Sequence, residues 1–319
     1  MIHDSKFIIP RDIDLVVIGT IGLDDIKTPF GEVKLALGGS GVYAACASSF
    51  FNAPGLISVA GNDIPEEYLN LLEKRGVDLS GITKSGKNFR WSGFYEFDMN
   101  EAKTLKTELN SLAGFKPQIP ESYKEAKFLF LANIDPDIQL EVLSEMKSKP
   151  FVVTDTMNYW VESKKNSLLR VIKATDLFVL NEGEARQLFD TPNLIKAGKS
   201  ALKLGPKYVV IKKGEHGALL FSKEKYFSAP GYPLEEVRDP TGAGDSFAGG
   251  LIGYLSSKRV SNKLISSKSV SFEEMRKAVI YGSAVASFCA ESFSLNYLDN
   301  VKISDIKERY DIFKQIREF

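Results

Sequence analysis

Residues 238–250 read RDPTGAGDSFAGG, and this stretch decides how the rest of the chain is interpreted. Its small residues are typical of a tightly packed helix, and Gly242, Ala243 and Gly244 fall where that helix would begin. The first turn of a helix leaves its backbone N–H groups without intrahelical partners, and the helix dipole makes that end positive. The two glycines let the backbone approach an anion closely, because they carry no Cβ atom. The stretch therefore predicts an anion-binding turn at a helix N-terminus.

Asp245 follows this turn directly and falls in the first turn of the predicted helix. The helix dipole favours an ionised carboxylate at that position. A carboxylate beside an anion hole can accept the proton of an alcohol that attacks a phosphoryl group. The alternative is a plain Asp-Pro-Thr-Gly turn at 239–242 followed by an aspartate that caps the helix. Two glycines around one alanine, next to a carboxylate, favour the catalytic interpretation.

The composition leaves few other routes to catalysis. The chain has 319 residues, with 41 basic and 41 acidic side chains and two histidines, His3 and His216. Ser-His-Asp, Cys-His and multi-histidine metal sites each need an imidazole in a cleft, so they are close to excluded. Cys46 and Cys289 lie in Ala- and Ser-rich runs typical of buried free thiols, which indicates a reducing, cytoplasmic compartment. Zero net charge argues against nucleic acid and membrane surfaces as partners.

Short apolar runs alternate with longer amphipathic stretches along most of the chain. This order predicts a mostly parallel sheet covered by helices on both faces, a three-layer α/β/α sandwich in a single domain over residues 1–319. Ligands of such a sheet lie beyond the carboxyl ends of its strands. The predicted strands are 14–18, 56–60, 128–132, 151–154, 177–180, 207–212, 218–221 and 226–228. The predicted helices are 41–51, 66–74, 137–147, 163–173, 182–189, 194–203, 245–255, 272–290 and 304–316.

Two segments, 28–37 and 88–110, alternate polar and apolar residues instead, as in FRWSGFYEF at 89–97. This pattern predicts antiparallel strands outside the main sheet. We expect them to form a small β lid that closes over the site and excludes water, with an immobile edge extension as the alternative. Trp91 and Tyr95 would stack on a base or a sugar face, or pack between lid and body. The free edge of the lid could also pair with a second copy and give a homodimer.

The stretch at 238–250 resembles the C-terminal signature of the ribokinase-like (PfkB) family of carbohydrate and nucleoside kinases. The other motifs that agree, in the same order, are GTIGLD at 19–24, LGGSG at 37–41, NEGE at 181–184 and KKGEHG at 212–217. The resemblance implies the ribokinase-like fold and an enzyme that transfers the γ-phosphoryl group of ATP, with Mg²⁺, to a hydroxyl of a sugar. A nucleoside such as adenosine is the alternative acceptor. A catalytically silent sensing or scaffolding homologue is the third possibility.

The resemblance also implies roles for individual residues. Asp245 is the general base and the amides of Gly242, Ala243 and Gly244 form the anion hole. The substrate contacts Asp24, Gly38, Gly39, Ser40 and Asn133. The nucleotide contacts Asn181, Lys212, Gly214 and Gly217. Glu184 holds Mg²⁺ through water, as suits a cation that keeps part of its hydration shell, while Asp239 and Thr241 match positions of a monovalent-cation site that takes K⁺.

Two positions depart from the family pattern. Tyr43 stands where ribokinases carry Asn, which puts ribose as the acceptor in doubt. Lys212 stands where many members have Thr, so one contact to a phosphate or to the ribose is altered. Asp155 follows a predicted strand on the ligand edge, where it either lines the phosphate cleft or caps a turn. The sequence of the lid does not indicate which acceptor it covers.

Overall fold

The structure, a computed structural model, describes residues 13–261 and 270–316. His3 lies outside these residues. The strands are β1 Leu15–Ile18, β2 Gly22–Thr28, β3 Gly31–Gly38, β4 Gly55–Ala60, β5 Asp78–Lys84, β6 Phe89–Tyr95, β7 Ala102–Glu108, β8 Phe128–Leu131, β9 Phe151–Thr154, β10 Leu177–Asn181, β11 Tyr208–Lys212, β12 Ala218–Phe221 and β13 Tyr226–Ala229. The α-helices are α1 Ser40–Ser49, α2 Glu66–Lys74, α3 Pro136–Glu145, α4 Asn158–Ser163, α5 Lys165–Lys173, α6 Glu182–Phe189, α7 Leu194–Leu202, α8 Ala243–Ser261, α9 Phe272–Ala290 and α10 Ile303–Gln315.

The larger sheet is mostly parallel. Its strands follow the order β13-β12-β11-β10-β9-β8-β1-β4-β5, and all neighbours from β11 to β5 run parallel. The hairpin of β12 and β13 adds two antiparallel strands at one edge. The central strands are continuous apolar runs, such as LVVI in β1 and FLFL in β8, and are buried throughout. Such runs are expected where helices cover both faces of a sheet.

Alternate residues of each central strand point to opposite faces of the sheet, and each face has its own core. On one face, Leu15 and Val17 belong to a large apolar cluster with residues of α1, α8 and α9. On the other face, Val16 and Ile18 pack with Val142 of α3. Helices α5, α6 and α7 cover the same face farther along, over β10 and β11. The molecule is therefore a three-layer α/β/α sandwich, as predicted.

The smaller sheet has the order β3-β2-β6-β7. Strand β2 is parallel to β6, while the β2–β3 and β6–β7 pairs are antiparallel. The predicted lid segments 28–37 and 88–110 contain most of β3 and all of β6 and β7, and the structure adds β2 at the centre. The register places Asp24 beside Trp91, and neighbours in register lie on the same face of a sheet.

Parallel strands bring the residues that follow them to one edge of the main sheet. Asp155 comes directly after β9, Asn181 ends β10 and Lys212 ends β11. After β1 the chain meets the start of α1 so closely that a Cβ on Gly19 would lie 2.5 Å from the Gly41 nitrogen. The topology thus collects these residues at the carboxyl edge.

Among the helices within the described ranges, none is both long and apolar enough to cross a membrane.

Candidate active site

The turn that the sequence predicts to bind an anion, at residues 242–244, lies at the start of α8, where it was expected. Gly242 has a φ of +75°, in the left-handed region that favours glycine, and a Cβ there would collide with the ring of Tyr43. The Gly242 carbonyl accepts the Ser246 N–H at 2.8 Å, and the Ala243 N–H donates to the Pro240 carbonyl at 3.1 Å. The Ala243 amide is therefore partly engaged within the turn. The following amides, in the first turn of α8, point along the helix axis without intrahelical partners.

Four ionisable side chains meet beside this turn: Asp155, Glu184, Lys212 and Asp245. The Lys212 Nζ lies 2.7 Å from the Asp155 Oδ2, and the two side chains are 16% and 3% exposed. The same Nζ lies 3.1 Å from the position that a Cβ on Gly244 would take. A single ammonium group therefore sits among three carboxyl groups, next to the predicted anion hole.

Burial and repulsion by neighbouring charges raise the pKa values of Asp245 and Glu184. Burial raises the pKa of Asp245 to about 7; the Asp155 charge adds to this and the Lys212 charge opposes it. Burial and then the Asp155 charge raise the pKa of Glu184 to about 8. For Lys212, burial acts to lower the pKa, but the charges of Asp155 and Glu184 outweigh it and raise the pKa. Lys212 therefore stays charged while Asp245 titrates near neutral pH.

Asn181 and Glu184 form a capping box at the start of α6. The Asn181 Oδ1 accepts the Glu184 N–H at 2.8 Å. In return, the Glu184 carboxylate accepts the Asn181 N–H at 2.8 Å and the Asn181 side-chain amide at 2.7 Å. These contacts fix the Glu184 side chain at the carboxyl edge of the sheet. The Asn-x-x-Glu motif thus has a local structural role as well as its predicted role toward phosphate and Mg²⁺.

Asp24 is buried on the inner face of the small sheet, 5% exposed, and packs against the Cα of Gly38. Its Oδ1 is buried and has no hydrogen-bond partner within the described part of the chain. Burial, followed by the charges of Asp239 and Asp245, raises its pKa to about 8. Gly39, with a φ of +99°, sharply turns the chain into α1. Asp24 therefore offers a free acceptor atom close to Asp245.

The structure places Ser40 and Asn133 in one hydrogen-bonded network. The Ser40 hydroxyl donates to the Asn133 carbonyl at 2.7 Å and accepts the Thr20 N–H at 3.1 Å. The Asn133 side-chain oxygen accepts the indole N–H of Trp160 at 2.8 Å. These contacts join the ends of β1 and β8 to α4. The Ser40 hydroxyl is thereby engaged within the protein, and a substrate contact by Ser40 or Asn133 stays a prediction.

The small sheet contacts the body of the protein at the loop before α8 and at the turn after β11. The Thr241 hydroxyl donates to the Tyr95 hydroxyl at 3.2 Å. In the turn after β6, the Asn100 Oδ1 lies 3.7 Å from the position of a Cβ on Gly214. Trp91 instead packs over Gly93 in its own sheet and donates to the Thr104 hydroxyl at 3.1 Å. Tyr95 therefore approaches the site directly, whereas Trp91 makes contacts inside the lid.

The remaining predicted residues lie around this centre. Asp239 is fully buried, and its carboxylate accepts the N–H groups of Thr241 at 2.9 Å and Ser294 at 3.4 Å. Burial raises the pKa of Asp239. Gly214 and Gly217 have φ values of +54° and +80° and form the turn after β11. Cys46 and Cys289 are free and buried, as predicted, and His216 is exposed.

Comparison with known proteins identifies the family of this chain. The profile of the pfkB family of carbohydrate kinases matches residues 12–300. The chain belongs to this family. A cytidine kinase of Thermococcus kodakarensis is 32% identical over 249 residues, which cover 76% of this chain and 88% of that protein. A nucleoside kinase of Thermoplasma acidophilum is 24% identical over 298 residues, which cover 91% and 88% of the two chains.

The solved ribokinase of Giardia lamblia superposes with a TM-score of 0.78 at 15% identity, covering 95% of this chain and all of that one. The predicted ribokinase-like fold is thus confirmed. Family membership also confirms the predicted enzyme class, an ATP-dependent phosphotransferase that acts on a hydroxyl group.

Proposed function

We propose that this family member is a nucleoside kinase, with a pyrimidine nucleoside such as cytidine as the first acceptor to test. The sequence alone favoured a sugar as acceptor and kept a nucleoside as the alternative. The observation that carries the proposal is the 32% identity to a cytidine kinase across 76% of this chain. The nucleoside kinase of Thermoplasma acidophilum, which aligns over 91% of this chain, supports the same class.

In the proposed reaction, Asp24 and Asp245 act on the acceptor hydroxyls. The Oδ1 of Asp24, which has no hydrogen-bond partner among the described residues, accepts a hydrogen bond from one hydroxyl and orients the nucleoside. Asp245 accepts the proton of the attacking hydroxyl as its oxygen bonds to the γ-phosphorus, while the bond from that phosphorus to the bridging oxygen breaks and ADP leaves. The amides at the start of α8, from Gly242 through Gly244, stabilise the charge on the transferred phosphoryl group. Closure of the small sheet over the acceptor excludes water from this step.

The nucleotide and cations are assigned to the other side of the cleft. Asn181, Lys212, Gly214 and Gly217 hold ATP. Within the described residues, no group of three or more His, Cys, Asp or Glu side chains is arranged as a metal site. Mg²⁺ binds through one or two carboxylates, waters and phosphates, and the buried Glu184 is proposed to hold it through water. When bound, Mg²⁺ neutralises charge on the phosphates. Asp239 and Thr241 are proposed to contribute to a K⁺ site.

The acceptor class is tested by measuring ADP release with matched panels of nucleosides and free sugars at saturating ATP, Mg²⁺ and K⁺. We expect the best nucleoside to exceed ribose and fructose in kcat/KM by about tenfold or more, because a base adds buried contact area. A sugar that exceeds every nucleoside would overturn the proposal. Binding of nucleoside and ATP without any phosphorylated product would indicate a silent homologue instead.

The assembly proposed with this function is a homodimer through the small sheet. Apolar side chains in this sheet and its turns are exposed: Phe30 by 58%, Leu35 by 44%, Phe97 by 84% and Leu105 by 68%. Burying such a surface against a second copy would remove it from water and pair the free strand edges.

Size-exclusion chromatography with light scattering measures the assembly directly. We expect a mass of about twice the 35.3 kDa chain. Leu105→Glu should shift the protein to a monomer, since a charge in the interface is costly. The control is Ile195→Glu, which alters an exposed apolar residue on α7 and should leave the mass unchanged. A wild-type protein that stays monomeric at high concentration would refute the dimer.

A further inference from the structure

One buried ammonium group lies at the first turn of α8. Lys212 is the last residue of β11, a position from which a long side chain would ordinarily extend to solvent. Its side chain is only 16% exposed, and its Nζ lies 3.1 Å from the position of a Cβ on Gly244. Lysine is rarely buried unless it is paired. Lys212 is thus directed at the turn that would hold the transferred phosphoryl group.

Asp155 holds this ammonium group in place. Its Oδ2 lies 2.7 Å from the Lys212 Nζ, and its Oδ1 accepts the Thr156 N–H at 2.9 Å. The Asp155 N–H continues the ladder of the sheet by donating to the Leu131 carbonyl at 2.9 Å. Both carboxylate oxygens and the backbone are therefore fixed. A salt bridge built in this way leaves the Lys212 ammonium little freedom to move.

The same strand offers a comparison at its opposite end. Lys207, just before β11, pairs with Asp176 at 2.8 Å, and these side chains are 52% and 21% exposed. That pair faces solvent far from the carboxyl edge. The Lys212–Asp155 pair is buried, and burying an ion pair costs more desolvation energy than it returns in many proteins. Stability alone is therefore a poor reason for the buried pair.

We propose that Lys212 is a catalytic residue that contacts the transferred phosphoryl group, and that Asp155 is the positioning residue that aims its ammonium into the anion hole. The inference rests on the proposed phosphoryl transfer but not on the identity of the acceptor. A fixed charge in a water-poor site stabilises developing negative charge without reorganisation. The site needs such a cation because Asp155, Glu184 and Asp245 would otherwise repel the triphosphate.

Three variants test the pair: Lys212→Met, Asp155→Asn and the double variant. We expect Lys212→Met to lower kcat by about 100- to 1,000-fold while the KM for ATP changes less than about tenfold. Lys212→Met should also lower the melting temperature, because it leaves the buried Asp155 carboxylate without its charged partner. The double variant should regain the melting temperature but keep a kcat within about threefold of Lys212→Met, since Asp155 acts only through Lys212.

The control is Lys207→Met, which removes the exposed ion pair of the same strand and should leave kcat unchanged. Recovery of kcat together with stability in the double variant would show that the pair is only structural. Losses that multiply in the double variant would show that Asp155 acts independently of Lys212. A loss confined to the KM for ATP would contradict a role in the transfer step.

The same comparison separates this inference from the proposed function. If the wild-type protein phosphorylates sugars and not nucleosides, the proposed function fails, and the variants are compared on the sugar. If it phosphorylates neither, the probe is ADP with aluminium fluoride, which resembles the phosphoryl group in transfer. Lys212→Met should then weaken binding of this probe about 100-fold and binding of ADP alone much less. Equal weakening of both would overturn the assignment.

Discussion

Asp245→Asn is expected to lower kcat by about 1,000- to 10,000-fold while the protein stays folded and still binds ATP. Asn has the shape of Asp but cannot accept the proton of the attacking hydroxyl. Asp245 lies in the first turn of α8, beside Lys212. At this position it would face the attacking hydroxyl, so its loss removes the proton acceptor of the reaction. Turnover is measured by ADP release, and ATP affinity by calorimetry. A variant with near-normal turnover would remove Asp245 from the role of general base.

The pH dependence of wild-type kcat/KM gives a second measure of the same residue, because this ratio reports the pKa values of the free enzyme. Burial, with the Asp155 charge adding to it, raises the pKa of Asp245 to about 7. Below this pH the carboxyl group is protonated and cannot serve as a base. We therefore expect kcat/KM for the acceptor to rise about tenfold per pH unit below pH 7 and to level off above it. The residual activity of Asp245→Asn should lose this pH dependence.

Stability provides the control for folding. A carboxyl group whose pKa is higher in the folded protein than its usual 3.8 destabilises the fold as pH rises from about 4 to 7. Asp245→Asn removes this cost because the amide does not ionise. Urea unfolding at pH 8 should show the variant to be at least as stable as the wild-type protein. Lower stability would mean that lost turnover reflects a damaged fold.

Much of the fold follows from local sequence patterns. The predicted strands 151–154 and 218–221 coincide with β9 and β12, and the predicted helix 272–290 coincides with α9. These segments are either continuous apolar runs or long amphipathic stretches. In both, the spacing of the buried side chains in the sequence matches the period of the strand or helix that forms. Helix α8 extends beyond the predicted 245–255 in both directions, to Ala243 and Ser261, because its Gly-rich start and Ser-rich end carry little periodic signal.

Two strands were not predicted, for different physical reasons. β5, with the sequence DLSGITK, has few strand-forming residues and exists as an edge strand that pairs with β4. β2, with the sequence GLDDIKT, contains two adjacent aspartates, and one of them, Asp24, is buried. Burial of an aspartate runs against the ordinary preference for exposed carboxylates. Only the pairing of β2 between β3 and β6 places it in the small sheet.

In the candidate site, too, features within one short segment were predictable, whereas contacts between distant segments were not. The Gly-rich turn at the start of α8 and the Asn-x-x-Glu motif are short, so local sequence sufficed to locate them. The capping box that Asn181 forms with Glu184 was not predicted. The contact of Tyr95 with Thr241 and the pairing of Asp155 with Lys212 join distant parts of the chain. Asp155 was correctly placed at the ligand edge, but its partner depends on the strand order, which brings β9 and β11 to either side of β10.

Asp24→Asn is expected to lower kcat/KM for the acceptor by about 10- to 100-fold with little change in the KM for ATP, because a neutral amide oxygen accepts a weaker hydrogen bond than a carboxylate does. The Asp24 Oδ1 is buried without a partner in the described chain, so a hydroxyl of the acceptor would supply the missing hydrogen bond. A buried polar group that recognises a hydroxyl discriminates strongly, because it is costly to leave unpaired. Initial rates over a range of acceptor concentrations measure the effect.

The neighbouring Asp25 supplies a matched control. Its carboxylate accepts the Leu35 N–H at 2.7 Å within the small sheet, away from the site. Asp25→Asn should therefore leave the KM for the acceptor unchanged, and an equal loss in both variants would indicate a general effect on the small sheet.

Burial raises the pKa of Asp24 to about 8, so the wild-type protein without ligands loses stability as pH rises from about 4 to 8. Asp24→Asn should abolish that loss while it weakens acceptor binding, because the same buried carboxylate destabilises the empty fold and recognises the acceptor.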